Sequence, residues 1–275
     1  MKVSASLPNP QAPILLFDSG VGGLTVLREL QAILPQSPVI YAADLAGLPY
    51  GTKSEAQIAA RVAGLLGRMS ERYKPRLICI ACNTASTIAL GMVRDVLEVP
   101  IVGTVPAIKP AASKTRSGVI GLLGTEATIR QSYVDDLEAQ FASDKQLLRV
   151  AAPGLVEAAE AKLRGEEFDP AVVAGAVRRL REMPGGEAID TVVLACTHFP
   201  LLAPELSKAL GQVFGDRVAL VDGAQGIARR IVAITEAQEF DSTVPSRFVA
   251  TGNADISEEL MAVLRRQGLD TIEGF

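Results

Sequence analysis

The sequence predicts an α/β protein with mainly parallel sheets, folded as two similar halves whose strand ends meet at a shared cleft. Short apolar runs alternate with longer amphipathic segments, which is the pattern of parallel βαβ units. The order of these segments is repeated in the second half of the chain. Two of the runs end in Ala-Cys and two polar residues, and their cysteines, Cys82 and Cys196, lie 114 residues apart. Ligands bind where the strands of open α/β sheets end, so both thiols are expected at one site.

The first half of the chain predicts four strands joined by three helices. The strands are expected at 14–17, 39–43, 77–81 and 100–102, and the helices at 24–34, 55–73 and 84–97. The second helix keeps its apolar residues at helical spacing, at Ile58, Val62, Leu65, Leu66 and Met69. Ser54 and Gln57 have the spacing of a capping box at its start.

The second half predicts four counterpart strands at 119–123, 148–152, 191–195 and 219–221. They follow the first four by roughly 106, 109, 114 and 119 residues. A slowly growing offset is expected of duplicated halves that carry small insertions. The alternative is that any α/β chain alternates in this way, but that leaves the repeated Ala-Cys ending unexplained.

Composition excludes several classes of protein. The net charge of −4 and the dispersed basic residues argue against a nucleic-acid partner. No apolar run approaches the ~20 residues of a membrane span. Residues 1–13 lack the apolar core of a signal peptide and predict a short disordered leader. Three cysteines, an odd number, do not make a disulfide framework and point to the cytoplasm.

A glycine-rich turn follows the first predicted strand and contains Asp18, Gly20 and Gly22. Backbone N–H groups at such a turn can bind a carboxylate or phosphate. Asp44 lies at the distance of a dinucleotide-binding acid, but Thr25 occupies the third glycine position of that fingerprint. A purely structural tight turn stays open, although an aspartate at the strand end favours a site.

Cys79 and Cys82 have the Cys-x-x-Cys spacing of redox and metal sites. A strand alternates its faces, so the two side chains are expected to point differently. Zinc requires four ligands, whereas the chain has three cysteines and one histidine. Cys79 is therefore interpreted as a small buried apolar residue.

Cys82 and Cys196 each precede polar residues near a predicted helix start, where the pKa of a thiol is lowered. Two core cysteines are the alternative, and His198 also permits a hydrolytic Cys–His pair. A hydrolase leaves the other matched cysteine unexplained. Two thiols in one cleft indicate removal of a proton from one side and its return from the other, which is racemase chemistry.

Three further segments bear on the site. The loop at 44–54 is rich in glycine and proline and, taken alone, is interpreted as structural. The hydroxyls of Thr125 and Thr128 follow the counterpart of the first strand and are candidates to hold a carboxylate. Glu157 opens a helix, and spacing alone favours a surface charge there.

Taken together, the motifs resemble the cofactor-independent aspartate/glutamate racemase superfamily, and within it the glutamate racemases, from about residue 14 to residue 230. The motifs occur in this order: Phe-Asp-Ser-Gly-Val-Gly-Gly, Leu-Pro-Tyr-Gly, Ala-Cys-Asn-Thr-Ala, Gly-Thr-Val-Pro, Leu-Gly-Thr-Glu-Ala-Thr, Ala-Cys-Thr-His-Phe-Pro and Val-Asp-Gly-Ala. The resemblance implies two pseudo-symmetric three-layer α/β domains with the active site between them. We place the first domain at 1–105 plus 215–275 and the second at 106–214.

The resemblance also implies the roles of individual residues. The two catalytic thiols fall on Cys82 and Cys196. The assisting groups fall on Asp18 beside Cys82, and on His198 and Glu157 beside Cys196. The substrate-binding residues it implies, with Thr125 added, are Asp18, Ser19, Tyr50, Gly51, Asn83, Thr84, Thr125, Thr197 and His198.

The resemblance further implies a cytoplasmic isomerase that needs no cofactor or metal and supplies D-glutamate for peptidoglycan. A small-molecule substrate, glutamate, is the expected partner, without nucleic acid or membrane. A racemase for aspartate or another amino acid, and a non-catalytic amino-acid-binding protein on the same fold, stay open. The sequence also leaves open the oligomeric state, with a homodimer as one alternative, and activation by a cell-wall precursor.

Overall fold

The computed structural model describes residues 9–252 and 256–275. The strands in these residues are β1 (Ile14–Asp18), β2 (Val39–Ala43), β3 (Leu77–Ile80), β4 (Ile101–Gly103), β5 (Val119–Gly124), β6 (Gln146–Ala151), β7 (Thr191–Ala195), β8 (Ala219–Val221), β9 (Arg247–Ala250) and β10 (Thr271–Gly274). The helices are α1 (Leu24–Ile33), α2 (Glu55–Tyr73), α3 (Asn83–Val96), α4 (Ile108–Lys114), α5 (Glu126–Ile129), α6 (Ser132–Phe141), α7 (Gly154–Leu163), α8 (Ala171–Glu182), α9 (Ala203–Phe214), α10 (Ala224–Ile234) and α11 (Glu258–Arg266).

The strands form two sheets, and every strand pairing between the described residues is parallel. The first sheet has the order β10-β9-β2-β1-β3-β4, and the second has the order β6-β5-β7-β8. The run β2-β1-β3-β4 is therefore repeated in the second sheet, strand for strand. This repeat confirms the two pseudo-symmetric halves that the sequence predicted.

The central strands of each sheet are buried on both faces, as the three-layer prediction requires; they are β1, β2 and β3 in the first sheet and β5 and β7 in the second. In β1, Ile14 and Leu16 pack against α1, α10 and α11, whereas Leu15 and Phe17 pack against α2 and α3. The faces of the second sheet are likewise covered by two separate apolar clusters. Successive side chains of these strands point to opposite faces, and both faces are covered by helices. The strands are therefore continuously apolar, because neither face meets water.

The two chain crossings between the sheets come after equivalent strands. After β4 the chain passes to α4, which packs on the second sheet, near the predicted boundary at 105. After β8 it passes to α10, which packs on the first sheet. The predicted boundary at 214 lies earlier, at the end of α9, whereas β8 still pairs with β7. The division into two domains stays a prediction. Because β8 belongs to the second sheet, we place the second boundary after residue 221 instead of at 214.

The C-terminal segment returns to the first sheet, where β9 pairs with β2 and β10 pairs with β9. Nothing in the sequence pattern had located these two strands. Ser54 and Gln57 form the predicted capping box of α2. In the part of the chain that the structure describes, no helix is both long and apolar enough to cross a membrane.

The predicted disordered leader covers residues 1–13, of which 1–8 lie outside the described residues. The prediction is wrong for the remainder, because the Arg76 side chain donates hydrogen bonds to the backbone carbonyls of Asn9, Pro10 and Ala12. The same guanidinium lies 4.1 Å from the ring centroid of Phe240. A buried arginine therefore fixes this segment against the start of β3.

Candidate active site

Cys82 follows β3 and caps the N-terminus of α3. Its Sγ accepts a hydrogen bond from the backbone N–H of Ala85 at 3.5 Å and lies 3.4 Å from Ser19 Oγ. Burial and then the charge of Asp18 raise the pKa of the Cys82 thiol, and the donors from Ser19 and Ala85 do not offset them. The expected lowering of this pKa by the helix start is therefore wrong, because burial outweighs it.

Asp18 ends β1 and is fully buried behind Ser19. Its Oδ1 accepts hydrogen bonds from the backbone N–H and the hydroxyl of Ser19, at 2.7 and 3.4 Å. Its Oδ2 accepts from the Gly23 N–H at 2.6 Å and from the Tyr41 hydroxyl at 3.2 Å. Burial raises the pKa of Asp18, although the nearby His198 and the N–H of Gly23 act against it. The carboxyl is thus linked through Ser19 to the Cys82 sulfur.

Cys196 follows β7, at the position that matches Cys82 in the other sheet. Its Sγ lies 3.8 Å from His198 Nδ1, and the other ring nitrogen, Nε2, lies 2.7 Å from Glu160 Oε1. Burial acts to lower the pKa of His198, but Cys196 and Glu160 together raise it well above its ordinary value. Burial likewise acts to raise the pKa of Glu160, and His198 holds it below its ordinary value. The arrangement favours a charged pair beside the second thiol.

Glu160, and not the predicted Glu157, is the acid that pairs with His198. Glu157 is exposed and lies on the wall of the cavity, one turn away on α7. Glu160 lies on the buried face of the same helix, four residues after the buried Val156. Small and apolar residues surround both carboxylates along α7, so no periodicity in the sequence separates Glu160 from Glu157.

The glycine-rich turn after β1 contacts carboxylates of the protein itself. The N–H groups of Ser19 and Gly23 donate to Asp18, and the N–H of Val21 donates to Glu160 Oε1 at 3.4 Å. A Cβ atom on Gly22 would lie 2.6 Å from His198 Nδ1. A residue with a side chain does not fit at Gly22, because the turn of the first half packs directly against the His198–Glu160 pair of the second half.

Three threonine hydroxyls close the cleft at another side of the site. Thr84 Oγ1 lies 3.0 Å from Thr125 Oγ1 and 3.1 Å from Thr128 Oγ1, and the last two are 2.9 Å apart. Gly51 faces this cluster, because a Cβ there would lie 3.3 Å from Thr125 Cβ. Hydroxyls can rotate their protons toward an acceptor, so the cluster is suited to a carboxylate.

The loop that carries Tyr50 is anchored from behind by Asp44. Asp44 Oδ2 accepts from the Tyr50 hydroxyl at 2.6 Å, Oδ1 accepts from Thr251 Oγ1 at 2.5 Å, and the Arg61 guanidinium donates to both oxygens. Burial acts to raise the pKa of Asp44, but the donors from Arg61, Thr251 and Tyr50 hold it below its ordinary value. This loop, interpreted from sequence as structural, therefore also forms a wall of the site.

Replacing Asp44 by asparagine is expected to lower the free energy of unfolding by about 2 kcal/mol near neutral pH. A group whose pKa is lowered by folding stabilises the fold above its ordinary pKa, and this contribution is lost as the pH falls through the folded pKa. The difference from wild type, measured by urea denaturation, should therefore stay constant from pH 7 to about 4 and shrink below. A difference that instead grows toward acid pH would contradict the ion pair.

These groups meet at one cavity between the two halves. The cavity is lined by Ser19, Leu48, Pro49, Tyr50, Gly51, Thr52, Cys82, Asn83, Thr84, Thr125, Glu126, Pro153, Val156, Glu157, Cys196, Thr197 and His198. Every residue predicted for the site lies on its wall except Asp18, which lies directly behind Ser19. The roles predicted for these residues stay predictions.

The cavity has a volume of about 30 Å³. Pockets for small ligands usually enclose at least ~300 Å³, so the cleft must widen to admit one. Gln131 Nε2 donates to Glu55 Oε1 at 2.7 Å across the cleft, and the hydroxyls of Thr84 and Thr125 meet there too. Opening the cleft therefore breaks a small number of polar contacts between the two halves.

Cys79 lies apart from this site. Its side chain is fully buried in the cluster with α1 and α10, whereas Cys82 packs in the cluster with α2 and α3. Burial raises the pKa of the Cys79 thiol. The two cysteines therefore point to opposite faces of the sheet, as strand alternation predicted.

Comparisons with known proteins show which proteins this chain is similar to. A family model described as Asp/Glu/Hydantoin racemase matches residues 24–231. A glutamate racemase from Sphingopyxis alaskensis is 60% identical over 267 residues, which cover 97% of this chain and 98% of that protein. A structure of Escherichia coli glutamate racemase with L-glutamate and the activator UDP-MurNAc-ala superposes with a TM-score of 0.86 at 41% identity, covering 97% and 98% of the two chains. A Thermus thermophilus glutamate racemase with β-chloro-D-alanine superposes with a TM-score of 0.73 at 31% identity, covering 98% and 97%.

Proposed function

The chain belongs to the Asp/Glu/Hydantoin racemase family as an amino-acid racemase, and from this membership we propose that it interconverts L- and D-glutamate by passing the α-proton between Cys82 and Cys196. The observation that carries the proposal is the presence of both thiols on the wall of one cavity. Each thiol follows the equivalent strand of its own sheet. Both thiols therefore border the same space, in which one substrate molecule would bind.

The mechanism follows from the need to invert Cα. One thiolate takes the α-proton and becomes a thiol, leaving the electron pair of the C–H bond on Cα. The opposite thiol then gives its proton to the other face of Cα and becomes a thiolate. A single fixed base would return the proton to the side from which it came, so two opposed groups are required. The roles of the thiols exchange when the enantiomer of the opposite hand is bound.

Each thiol has its own assisting groups. On one side, Asp18 acts through Ser19 on Cys82, and on the other, Glu160 holds His198 beside Cys196. These groups shift protons toward or away from the sulfur atoms at each step. Positioned proton transfer contributes roughly 10²–10⁴-fold, which alone is too little for so weak a carbon acid. Donors from Asn83, Thr84 and Thr197 are therefore proposed to stabilise the negative charge that develops on the substrate.

Glutamate is the proposed substrate for two reasons. The E. coli relative, which is 41% identical in its solved structure, is in complex with L-glutamate. The threonine cluster and Gly51 also provide donors for a second carboxylate. Supply of D-glutamate for peptidoglycan in the cytoplasm rests on the family resemblance, and the MurNAc-containing activator of the E. coli relative supports it.

Racemisation of L-glutamate in D₂O tests the two-thiol scheme. Early D-glutamate should carry deuterium at Cα, because its new proton comes from the thiol that has exchanged with solvent. The remaining L-glutamate should stay mostly unlabelled at the same time. The label in each enantiomer is measured by chiral chromatography with mass spectrometry. Equal early labelling of both enantiomers would instead indicate one shared base.

A chirality-resolved assay on L-glutamate, L-aspartate and L-alanine separates the alternatives. The proposal expects racemisation of glutamate in clear preference to the other two. Faster turnover of L-aspartate would assign the activity to aspartate. Binding of glutamate without any change in optical rotation would point to a non-catalytic binding protein.

A further inference from the structure

Tyr41 is a fully buried tyrosine that the proposed mechanism does not use. It lies on β2, and its hydroxyl enters the glycine-rich turn after β1. The hydroxyl oxygen is 3.2 Å from Asp18 Oδ2 and 3.2 Å from the backbone oxygen of Gly20. A Cβ on Gly23 would lie 3.0 Å from the same hydroxyl, so the turn is shaped around it.

The ring of Tyr41 is held independently of its hydroxyl. It stacks on Phe248 of β9, with ring centroids 5.7 Å apart and an angle of 9° between the planes. Stacked aromatic side chains have few rotamers and lose little entropy on being held. The stacking on Phe248, in the C-terminal part of the chain, therefore holds the Tyr41 ring in place with its hydroxyl beside Asp18.

The Asp18 carboxylate divides its contacts between two sides. Oδ1 accepts from Ser19, whose hydroxyl lies 3.4 Å from the Cys82 sulfur. Oδ2 accepts from Gly23 and Tyr41. Without the Tyr41 hydroxyl, Oδ2 would keep one donor, and the carboxylate could rotate away from Ser19. We propose that Tyr41 is a positioning residue of the racemase site, whose hydroxyl fixes Asp18 so that Ser19 is held against Cys82.

This inference rests on the proposed function, since it assigns a residue to one half of the two-thiol reaction. The ionisable groups that face Asp18 are Tyr41 on β2, Cys79 on β3, Cys82 at the start of α3, Glu160 on α7 and His198 after β7. Tyr41 keeps its proton, because burial and then the charge of Asp18 raise its pKa well above the ordinary value. The hydroxyl therefore remains a donor at every working pH, with its single proton shared between Asp18 Oδ2 and the backbone oxygen of Gly20, both at 3.2 Å.

The test is the Tyr41→Phe variant of the full chain, which keeps the stacked ring and removes the hydroxyl. We expect kcat for glutamate to fall about tenfold, with KM within about twofold of wild type. The variant lacks one donor to the ionised form of Asp18, so the pKa of Asp18 rises. The acid limb of the kcat profile should therefore move to higher pH, because ionised Asp18 is lost earlier as the pH falls.

Isotope effects identify which half of the reaction is affected. Each thiol removes deuterium from one of the two α-deuterated enantiomers of glutamate. A variant that slows one thiol should therefore raise the kinetic isotope effect measured with the enantiomer that this thiol deprotonates, and lower the kinetic isotope effect measured with the other enantiomer. The Tyr41→Phe variant should make the two effects diverge in the same sense as Asp18→Asn. It should diverge in the opposite sense from His198→Asn. Unchanged isotope effects and an unmoved acid limb, with only a lower melting temperature, would overturn the proposal.

Two further variants keep the test decisive. Tyr73→Phe is the matched control, because its hydroxyl is buried without a hydrogen-bond partner among residues 9–252 and 256–275. It should leave kcat, the acid limb and both isotope effects unchanged. If Tyr41→Phe does not fold, Phe248→Leu removes the support of the ring, and it should give a weaker divergence in the same sense. Absence of glutamate racemisation in the wild type would instead refute the proposed function itself.

Discussion

Replacing Cys82 by alanine is expected to abolish racemisation of both L- and D-glutamate, and replacing Cys196 by alanine is expected to do the same. Either change removes the group that takes or returns the proton on one face of Cα. A positioned proton-transfer group contributes roughly 10²–10⁴-fold, so kcat should fall by at least that factor in both directions. The rates are measured by chiral chromatography of the two enantiomers at saturating substrate.

Cys79→Ala is the matched control for both variants. Cys79 is fully buried but lies on the opposite face of the sheet from Cys82. Its replacement should lower stability by about 1 kcal/mol through the lost packing and leave kcat of the folded protein unchanged. Full activity in either Cys82→Ala or Cys196→Ala would refute the two-thiol scheme.

Gly22→Ala is expected to lower kcat by about 10²-fold while both sheets stay folded. The added Cβ would lie 2.6 Å from His198 Nδ1 and 2.7 Å from the His198 backbone nitrogen. The backbone nitrogen cannot move aside cheaply, so either the imidazole is displaced from Cys196 or the cleft cannot close. A misplacement of about 1 Å in a catalytic site commonly reduces the rate by about 10²-fold.

Gly91→Ala is the control for this second variant. Gly91 lies on the exposed face of α3, and a Cβ there meets no atom within 4 Å among the described neighbours. The substitution should stabilise the helix by about 0.5–1 kcal/mol and leave kcat unchanged. Circular dichroism and thermal melting establish that both variants are folded. Wild-type kcat in Gly22→Ala would show that the close approach of the turn to His198 is not required.

The sequence predicted β1 to β8 from their apolar runs, which are continuous where both faces of the sheet are buried, but it did not locate β9 and β10. Strands β2, β7 and β8 occur at the predicted residues, and helix α2 begins and ends as predicted. The shared cleft followed from two strand ends that carry the same Ala-Cys signal. Local sequence patterns are therefore sufficient to place a site residue when a single strand or helix determines where that residue lies.

Contacts between distant segments could not be predicted in the same way. Glu160 rather than Glu157 pairs with His198, because the packing of α7 turns one of the two carboxylates inward. The support of Tyr41 by Phe248 joins segments 207 residues apart. The pKa of Cys82 depends on how completely the cleft buries it, which outweighs the helix start beside it. Each of these features depends on tertiary packing and leaves no local periodicity.

A crystal structure of the protein with bound glutamate would give the distances from Cys82 Sγ and Cys196 Sγ to the substrate Cα, on which the two-thiol scheme depends. The two sulfur atoms are expected on opposite faces of that carbon, each at roughly 3–4 Å in the closed cleft. Both sulfur atoms on one face, or either one too far away to reach the α-proton after closure, would contradict the two-thiol scheme.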